Sequence, residues 1–458
     1  MAFEKRTDNV TMGKWYYDNF WPINREAPIR PLLFPFLLSI LHSFLGYRVE
    51  NVFILNFIAL FCLLSLVYIY IKKNRGNLWG FSAIMFIVSQ PLVTITATSG
   101  GFDLFNTLFF IICIICLWHF LKNPSPIQFQ LLWVNLLMYA NIRYESIFLF
   151  LITLIYLFSF RYIKKEFFKG NRYIYFLTPL IFLLGFWQFC LHRDIFKHVE
   201  YSPHYFIENN KTFFLSFLRW NFFYPFVTII NFIGVLFLFY YLFCFLKKKL
   251  CKTKVQKHLI LIVGTFLIFK WIIFTSYYEG MPELPTSTRY YLDYMILFSF
   301  LSLELFTCFK IFKQKPIYIF LISIMLFIFY NPVAIENRFL NWLLLPRKYR
   351  FVMRFLKKES NHSRNFLIIT TRPGTYTVYN YGAVNFKYAN TSKSVIEEFN
   401  NHLYEKIFVI QDIEYKTLKP TPETWLSKKY VLKPITELQN NSEYFIRISE
   451  VVFASQKD

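Results

Sequence analysis

Acidic and arginine side chains recur together at the ends of the apolar runs of this 458-residue chain, and their types define a chemistry before any fold is assigned. Asp103 follows Ser99-Gly100-Gly101-Phe102 at the start of one run, Arg143 and Glu145 bracket Tyr144 between two others, and Arg289 and Tyr290 open a late one. Arg25, Glu26 and Arg30 lie in a Pro-rich stretch near the N-terminus. One acid with several arginines suits displacement of a good anionic leaving group. A carboxylate takes the proton of an incoming hydroxyl, while guanidinium groups hold a phosphate as its charge grows. A sugar leaving a lipid phosphate is such a case, because it needs no strong general acid, unlike the paired carboxyl groups of a glycosidase. On that reading Asp103 is the candidate base. Arg30, Arg143 and Arg289 are the candidate donor-phosphate ligands, with Glu26, Glu145 and Tyr290 in support.

Each of these residues also has a purely structural reading. Asp103 could cap the helix that begins at Leu104, an interaction of roughly 0.5–2 kcal/mol. Arg143 and Glu145 could pair with each other, and Arg289 and Asp293, one helical turn apart, could neutralise each other. Lys270, near the end of an apolar run, reads as a snorkelling side chain, and Glu304 as structural. His42 and His119 are isolated among apolar residues, which disfavours a metal role. Cys113 and Cys116 have zinc-ligand spacing but lie inside a continuous apolar run with no second pair, so lipid-facing packing is the expected role.

The elements that must position these groups follow from composition. With 56% hydrophobic residues, 59 Phe, 32 Tyr and only 13 Gly, collagen-like, disordered and small disulfide-scaffold classes are excluded. The net charge of +23 is carried between apolar runs. That marks one side of a bilayer and disfavours nucleic acid as a partner. About ten stretches approach the length of a membrane span: 51–71, 78–96, 104–121, 127–141, 146–160, 173–191, 222–246, 258–275, 290–309 and 316–330. The loops after the odd-numbered spans hold 18 Lys+Arg and one acid, Glu166, whereas the alternate loops hold 6 Lys+Arg and seven acids. Basic loops stay cytoplasmic, so both termini and the acid–arginine groups are expected outside a cytoplasmic membrane. The run from Leu32 to Leu45, broken by Pro35 and His42, suits an interfacial helix within an outer N-terminal segment, residues 1–50.

From Pro346 the composition changes, with 18 Lys+Arg and 11 Asp+Glu. Short β-type runs near 366–371, 375–380, 406–412 and 444–453 and a helical run near 393–404 predict a small α/β domain over 346–458. Pro373-Gly374 is the expected turn between its first two strands. No phosphate-loop pattern accompanies them. The fold class expected is therefore an all-α polytopic membrane domain of about ten transmembrane helices, residues 51–345, followed by a small extracytoplasmic α/β domain.

The ordered pieces resemble a known family. Arg25-Glu-Ala-Pro-Ile-Arg-Pro running into Phe44-Leu45-Gly46-Tyr47, the Asp103-Leu104 helix start, the Asn141-Ile-Arg-Tyr-Glu-Ser146 loop and Arg289-Tyr290-Tyr291-Leu292 together resemble the C-type superfamily of membrane glycosyltransferases. The similar branch is that of the dolichyl-phosphate-mannose-protein mannosyltransferases and lipid A aminoarabinose transferases. The resemblance implies inverting transfer of one sugar from a polyprenyl-phosphate carrier to a protein, lipid or glycan acceptor outside the cytoplasmic membrane. The lipid-linked donor is the implied ligand, and a divalent cation is compatible with it. Polysaccharide polymerases or ligases share outer arginines but carry a larger late loop. Transporters carry repeats and midplane charges, and a non-catalytic scaffold presenting the tail is a further alternative. The family's main acidic motif lies in the first outer loop, after a first transmembrane helix. Here the chain begins inside that loop, so the principal carboxylate falls at or just before Met1, and Asp8 is carried as the second catalytic candidate. In-frame DNA upstream of Met1 is expected to encode an apolar helix followed by an acidic pair; a stop codon directly upstream would contradict this.

Overall fold

The computed structural model describes residues 9–16, 19–26, 31, 33–46, 48, 50–163, 178, 201–218, 228–246, 254–277, 280, 289–332, 348–359, 365–377, 379, 381–439 and 443–454. The chain divides into two compact units, Ile29–Phe339 and a second made of Met1–Pro28 with Leu340–Asp458.

The first unit is helical: α1 (Leu33–Leu45), α2 (Glu50–Arg75), α3 (Asn77–Val88), α4 (Pro91–Ala97), α5 (Asp103–Lys122), α6 (Pro126–Ala140) and α7 (Ile147–Ser159), then α8 (Pro203–Leu218), α9 (Ile229–Leu246), α10 (Lys254–Thr275), α11 (Leu292–Cys308) and α12 (Ile317–Met325). Among the described residues four helices are long and apolar enough to cross a membrane, or five if α3 and α4 count as one broken span. The expected run 173–191 lies outside the described residues, apart from residue 178. The expected loop 192–221 instead contains α8. Apolar rings face outward along α2, where Phe57 and Phe61 are each 66% exposed. In water each such ring would forgo about 1.5–3 kcal/mol of burial; facing lipid tails they lose nothing. The protein is a multi-pass membrane protein.

Helix α5 is the hub, packing against α2, α4, α6, α10 and α11. Its rings Phe110 and Phe120 are fully enclosed, and Cys113 and Cys116 are free thiols buried within the helical unit rather than facing lipid as expected. The helices share a common polarity. Asn56, near the start of α2, reaches the loop before Asp103, and Thr107, one turn into α5, reaches Asp293 at the start of α11. At the opposite ends stand Lys72, Lys73, Arg75, Lys122 and Lys310, and Arg75 donates to both Glu304 oxygens at 2.8 and 2.6 Å.

The expected span 78–96 is not continuous. It bends by 79° between α3 and α4. Pro91 has no N–H and cannot continue the helix of the residues before it, and the polar Gln90 at the break turns inward. Its amide nitrogen donates to Asn231 Oδ1 (2.9 Å) and Ser299 Oγ (3.1 Å), while Thr228 Oγ1 donates to its carbonyl oxygen (3.0 Å). All four residues are fully buried.

The second unit is a seven-stranded sheet in the order β2-β1-β4-β3-β5-β7-β6. Its strands are β1 (Asn9–Tyr16), β2 (Asn19–Glu26), β3 (Phe366–Ile369), β4 (Gly382–Val384), β5 (Lys406–Glu414), β6 (Tyr430–Gln439) and β7 (Tyr444–Ala454). Only β3 pairs in parallel, with β4 and β5 on its two sides. Alternate residues fill two cores. Leu367, Ile369, Val384, Ile407 and Val409 pack with Val395 and Ile396 on one face; Phe366, Ile368, Phe408 and Ile410 pack with Val352 and Leu356 of the helix 348–359 on the other.

Three expectations change here. The α/β unit is not confined to 346–458, because β1 and β2 form a hairpin within the expected N-terminal loop and Gly13 pairs with Ala383. Lys14 is ion-paired with Glu398 beside that hairpin. The described part of the run 375–380 is not a strand: a short helix, Gly374–Thr377, follows Pro373, and the second strand of the tail is β4. Strand β6 was not expected, because it contains Pro434; as the sheet edge it tolerates a residue without an N–H.

The Gln90 cluster yields a stability test. Gln90→Leu removes the partners of three buried groups, so the thermal midpoint of the detergent-solubilised protein should fall, with a loss of about 1–3 kcal/mol. An unchanged midpoint would show that these groups find other partners.

Candidate functional site

The site is built at the start of α5. Residues Ser99–Gly101 end the α4 turn, and the buried Asn56 donates to the Ser99 carbonyl at 2.7 Å and the Gly101 carbonyl at 2.6 Å. This fixes where the helix begins. Gly101 lies so close that a side chain there would place its Cβ 3.0 Å from Asp103 Oδ2. The helix start has no side-chain cap. The carboxylate of Asp103 is committed elsewhere, so the capping reading gives way to an ion pair.

That ion pair is with Arg143, which lies between α6 and a single 3-10 turn, Tyr144–Ser146. Arg143 Nη1 donates to Asp103 Oδ1, and Arg143 Nε faces Glu145 Oε1. Asp103 is 5% exposed and Arg143 is 6% exposed, so the three charges interact in a medium that screens them poorly. Burial alone would make Arg143 easier to deprotonate; the carboxylates of Glu145 and Asp103 outweigh it and hold the guanidinium more firmly protonated than usual. Aromatic faces complete its surroundings. The guanidinium carbon is 4.7 Å from the Tyr290 ring centroid, 5.4 Å from that of Phe102 and 5.7 Å from that of Phe274, within cation–π range.

Tyr290 links this group to Arg289. Both lie in a 3-10 turn, Arg289–Tyr291, that leads into α11. The Arg289 guanidinium sits 5.3 Å from the Tyr290 ring centroid, with Nη2 3.5 Å from its hydroxyl oxygen. Its Nε is buried without a hydrogen-bond partner, and among the described residues it pairs with no carboxylate. The expected Arg289–Asp293 pairing is therefore absent there. Asp293 instead accepts from Lys270 and from Thr107. Lys270 is 2% exposed, so it does not snorkel.

Of the residues singled out in the sequence, Asp103, Arg143, Glu145, Arg289 and Tyr290 come together. Asp8 and Arg30 lie outside the described residues. Glu26 ends β2, opposite Asn9, in the other unit. Sequence reading missed Asn56, Thr107 and Phe274, and gave Lys270 and Asp293 roles other than the pairing seen here. Only the two ionisable ones gave a signal, as charges inside apolar runs. Among the described residues no three His, Cys, Asp or Glu side chains gather as a metal site would require.

The fold has known counterparts. The crystal structure of ArnT from Cupriavidus metallidurans in the apo state matches with a TM-score of 0.53 and 9% identity, over 92% of this chain and 87% of that one. The same protein bound to undecaprenyl phosphate matches with a TM-score of 0.44 and 10% identity, over 93% of this chain and 89% of that one. No family model and no curated protein matches the chain. The chain has the fold of ArnT, at a sequence distance where fold alone is shared.

Arg143→Met should be severe. It leaves the buried Asp103 and the largely buried Glu145 without their shared cation, a loss of about 3–5 kcal/mol, read as a lowered thermal midpoint and poor recovery from detergent. Arg143→Lys should rescue only in part, because an ammonium cannot present two donors in the planar geometry of a guanidinium. A methionine variant with wild-type stability would contradict the shared-cation arrangement.

Proposed function

We propose that the membrane unit transfers a single sugar from a polyprenyl-phosphate carrier to an acceptor hydroxyl, with inversion at the anomeric carbon. The observation that carries this reading is the buried Asp103–Arg143–Glu145 triad joined through Tyr290 to Arg289, whose charge no described carboxylate takes up. The ArnT-like fold supports it. In the reaction the acceptor oxygen attacks the anomeric carbon as the bond from that carbon to the phosphate oxygen breaks. The acceptor proton passes to a carboxylate, and the electron pair of the broken bond stays on the phosphate. Asp103 is the proton acceptor: one oxygen is held by Arg143, and its orientation is thereby fixed.

The pairing redistributes the roles of the arginines. Arg143 is spent on two carboxylates, so it orients Asp103 more than it attracts an anion. Arg289, which pairs with no carboxylate among the described residues, takes the phosphate, with Arg30 as the second cation. Glu145 holds Arg143, and both guanidinium groups stand over the Tyr290 ring. Asp8 remains the second carboxylate candidate. The membrane is the cytoplasmic one, with this site and the α/β unit outside it, because the basic loops gather at the opposite helix ends.

The test uses the full chain in nanodiscs with a radiolabelled polyprenyl-phosphate sugar. Asp103→Asn should lower kcat by about 10²–10⁴-fold, and Arg289→Gln should weaken donor binding and slow the chemical step together. Full activity in the asparagine variant would remove Asp103 from the mechanism.

A further inference from the structure

We propose that the buried Lys270–Asp293 ion pair, with Thr107, is a positioning device that fixes the Arg289-Tyr290 turn against Asp103; the proposal rests on the functional reading above. The two side chains are 2% and 1% exposed. Lys270 Nζ donates to Asp293 Oδ2, and Thr107 Oγ1 donates to Asp293 Oδ1. A single carboxylate thus joins α5, α10 and α11.

Each of the three stands about one helical turn from a residue of the site on its own element. Thr107 follows Asp103 by one turn of α5, and its hydroxyl also lies 3.2 Å from the Asp103 carbonyl. Phe274 follows Lys270 by one turn of α10 and stacks on Tyr290, with ring centroids 5.1 Å apart and planes at 17°. Asp293 lies at the start of α11, immediately after the turn that carries Arg289 and Tyr290. Tyr294, its neighbour, donates to the Leu267 carbonyl at 2.6 Å and so ties α11 to α10 a second time.

Stability does not explain such a pair. Apolar side chains of equal volume hold helices together as well or better than a buried ion pair, and charges away from water are costly in a membrane domain. What the pair adds to packing is direction: hydrogen bonds to both carboxylate oxygens fix the rotation and height of three helices relative to one another. At a site where a displacement of about 1 Å costs on the order of 10²-fold in rate, that is the property required. Among the described residues Lys270 and Asp293 touch none of the groups assigned to substrate, so they act through Phe274, Tyr290 and Asp103.

The experiment compares the full-length wild type, Asp293→Asn, Thr107→Val and the double variant K270M/D293L in nanodiscs. Cryo-electron microscopy of the wild type and Asp293→Asn reads position without reference to activity. The Arg289–Tyr291 turn should move relative to Arg143 and the Arg143–Tyr290 contact should open; a turn that stays in place overturns the proposal. In the sugar-transfer assay, Asp293→Asn and Thr107→Val should lower kcat by about 100-fold and raise KM for the donor as the Arg289 turn moves. The double variant should regain thermal stability without regaining kcat. Wild-type kcat in the double variant would show that the pair serves folding alone and overturn the proposal. A wild type that transfers no sugar would instead sink the functional reading, and the positional measurement would still decide the role of the pair.

Discussion

Arg143 serves two carboxylates at once in a place that water barely reaches, and that sharing constrains everything around it. None of the three charges is tolerable there without the others, because an isolated ion in a low-dielectric interior costs several kcal/mol. Asp103 must therefore begin its helix beside the loop that carries Arg143 and Glu145, and aromatic rings must close over the guanidinium. Phe102, Phe274 and Tyr290 meet that demand from three different segments. One consequence is a division of labour among cations. Arg143 is occupied, whereas Arg289 pairs with no carboxylate among the described residues, and the proposed function rests its phosphate contact there.

The helices deliver this arrangement through a common polarity. Polar and charged anchors gather near one end of α2, α5 and α11, namely Asn56, Asp103, Thr107 and Asp293, while the Lys- and Arg-rich ends lie opposite. At the break before Pro91, the Gln90 side chain is itself satisfied by three side chains from other elements. Buried polar groups in this unit are thus used where helices must stop or register, and Phe, Leu and Ile fill the rest. The outward rings of α2 carry no such information and meet lipid.

Much of the site was legible because its charges stand at the ends of apolar runs, where few structural explanations compete. Asp103, Arg143, Glu145, Arg289 and Tyr290 were found that way. Lys270 was misread because a lysine near the end of a span usually reaches for water, and nothing in the sequence marks Asp293 on the following helix as its partner. Asn56 could not be found, since its role depends on two backbone carbonyls in a distant loop. In the α/β unit the parallel core strands read clearly from their apolar runs. The hairpin of β1 and β2 did not, because its short strands are Asn-rich and include Pro22, and Tyr376 and Thr377 favoured a strand where Pro373 starts a helix. Length and composition found the spans but not the 79° bend, which requires knowing that Gln90 has buried partners.

The most direct measurement is the structure of the full-length protein in nanodiscs with a polyprenyl phosphate bound. The account predicts the phosphate against the Arg289 guanidinium and the Tyr290 ring, on the side facing Asp103, with the Asp103–Arg143–Glu145 triad intact. A phosphate held elsewhere in the helical unit, with Arg289 untouched, would contradict it.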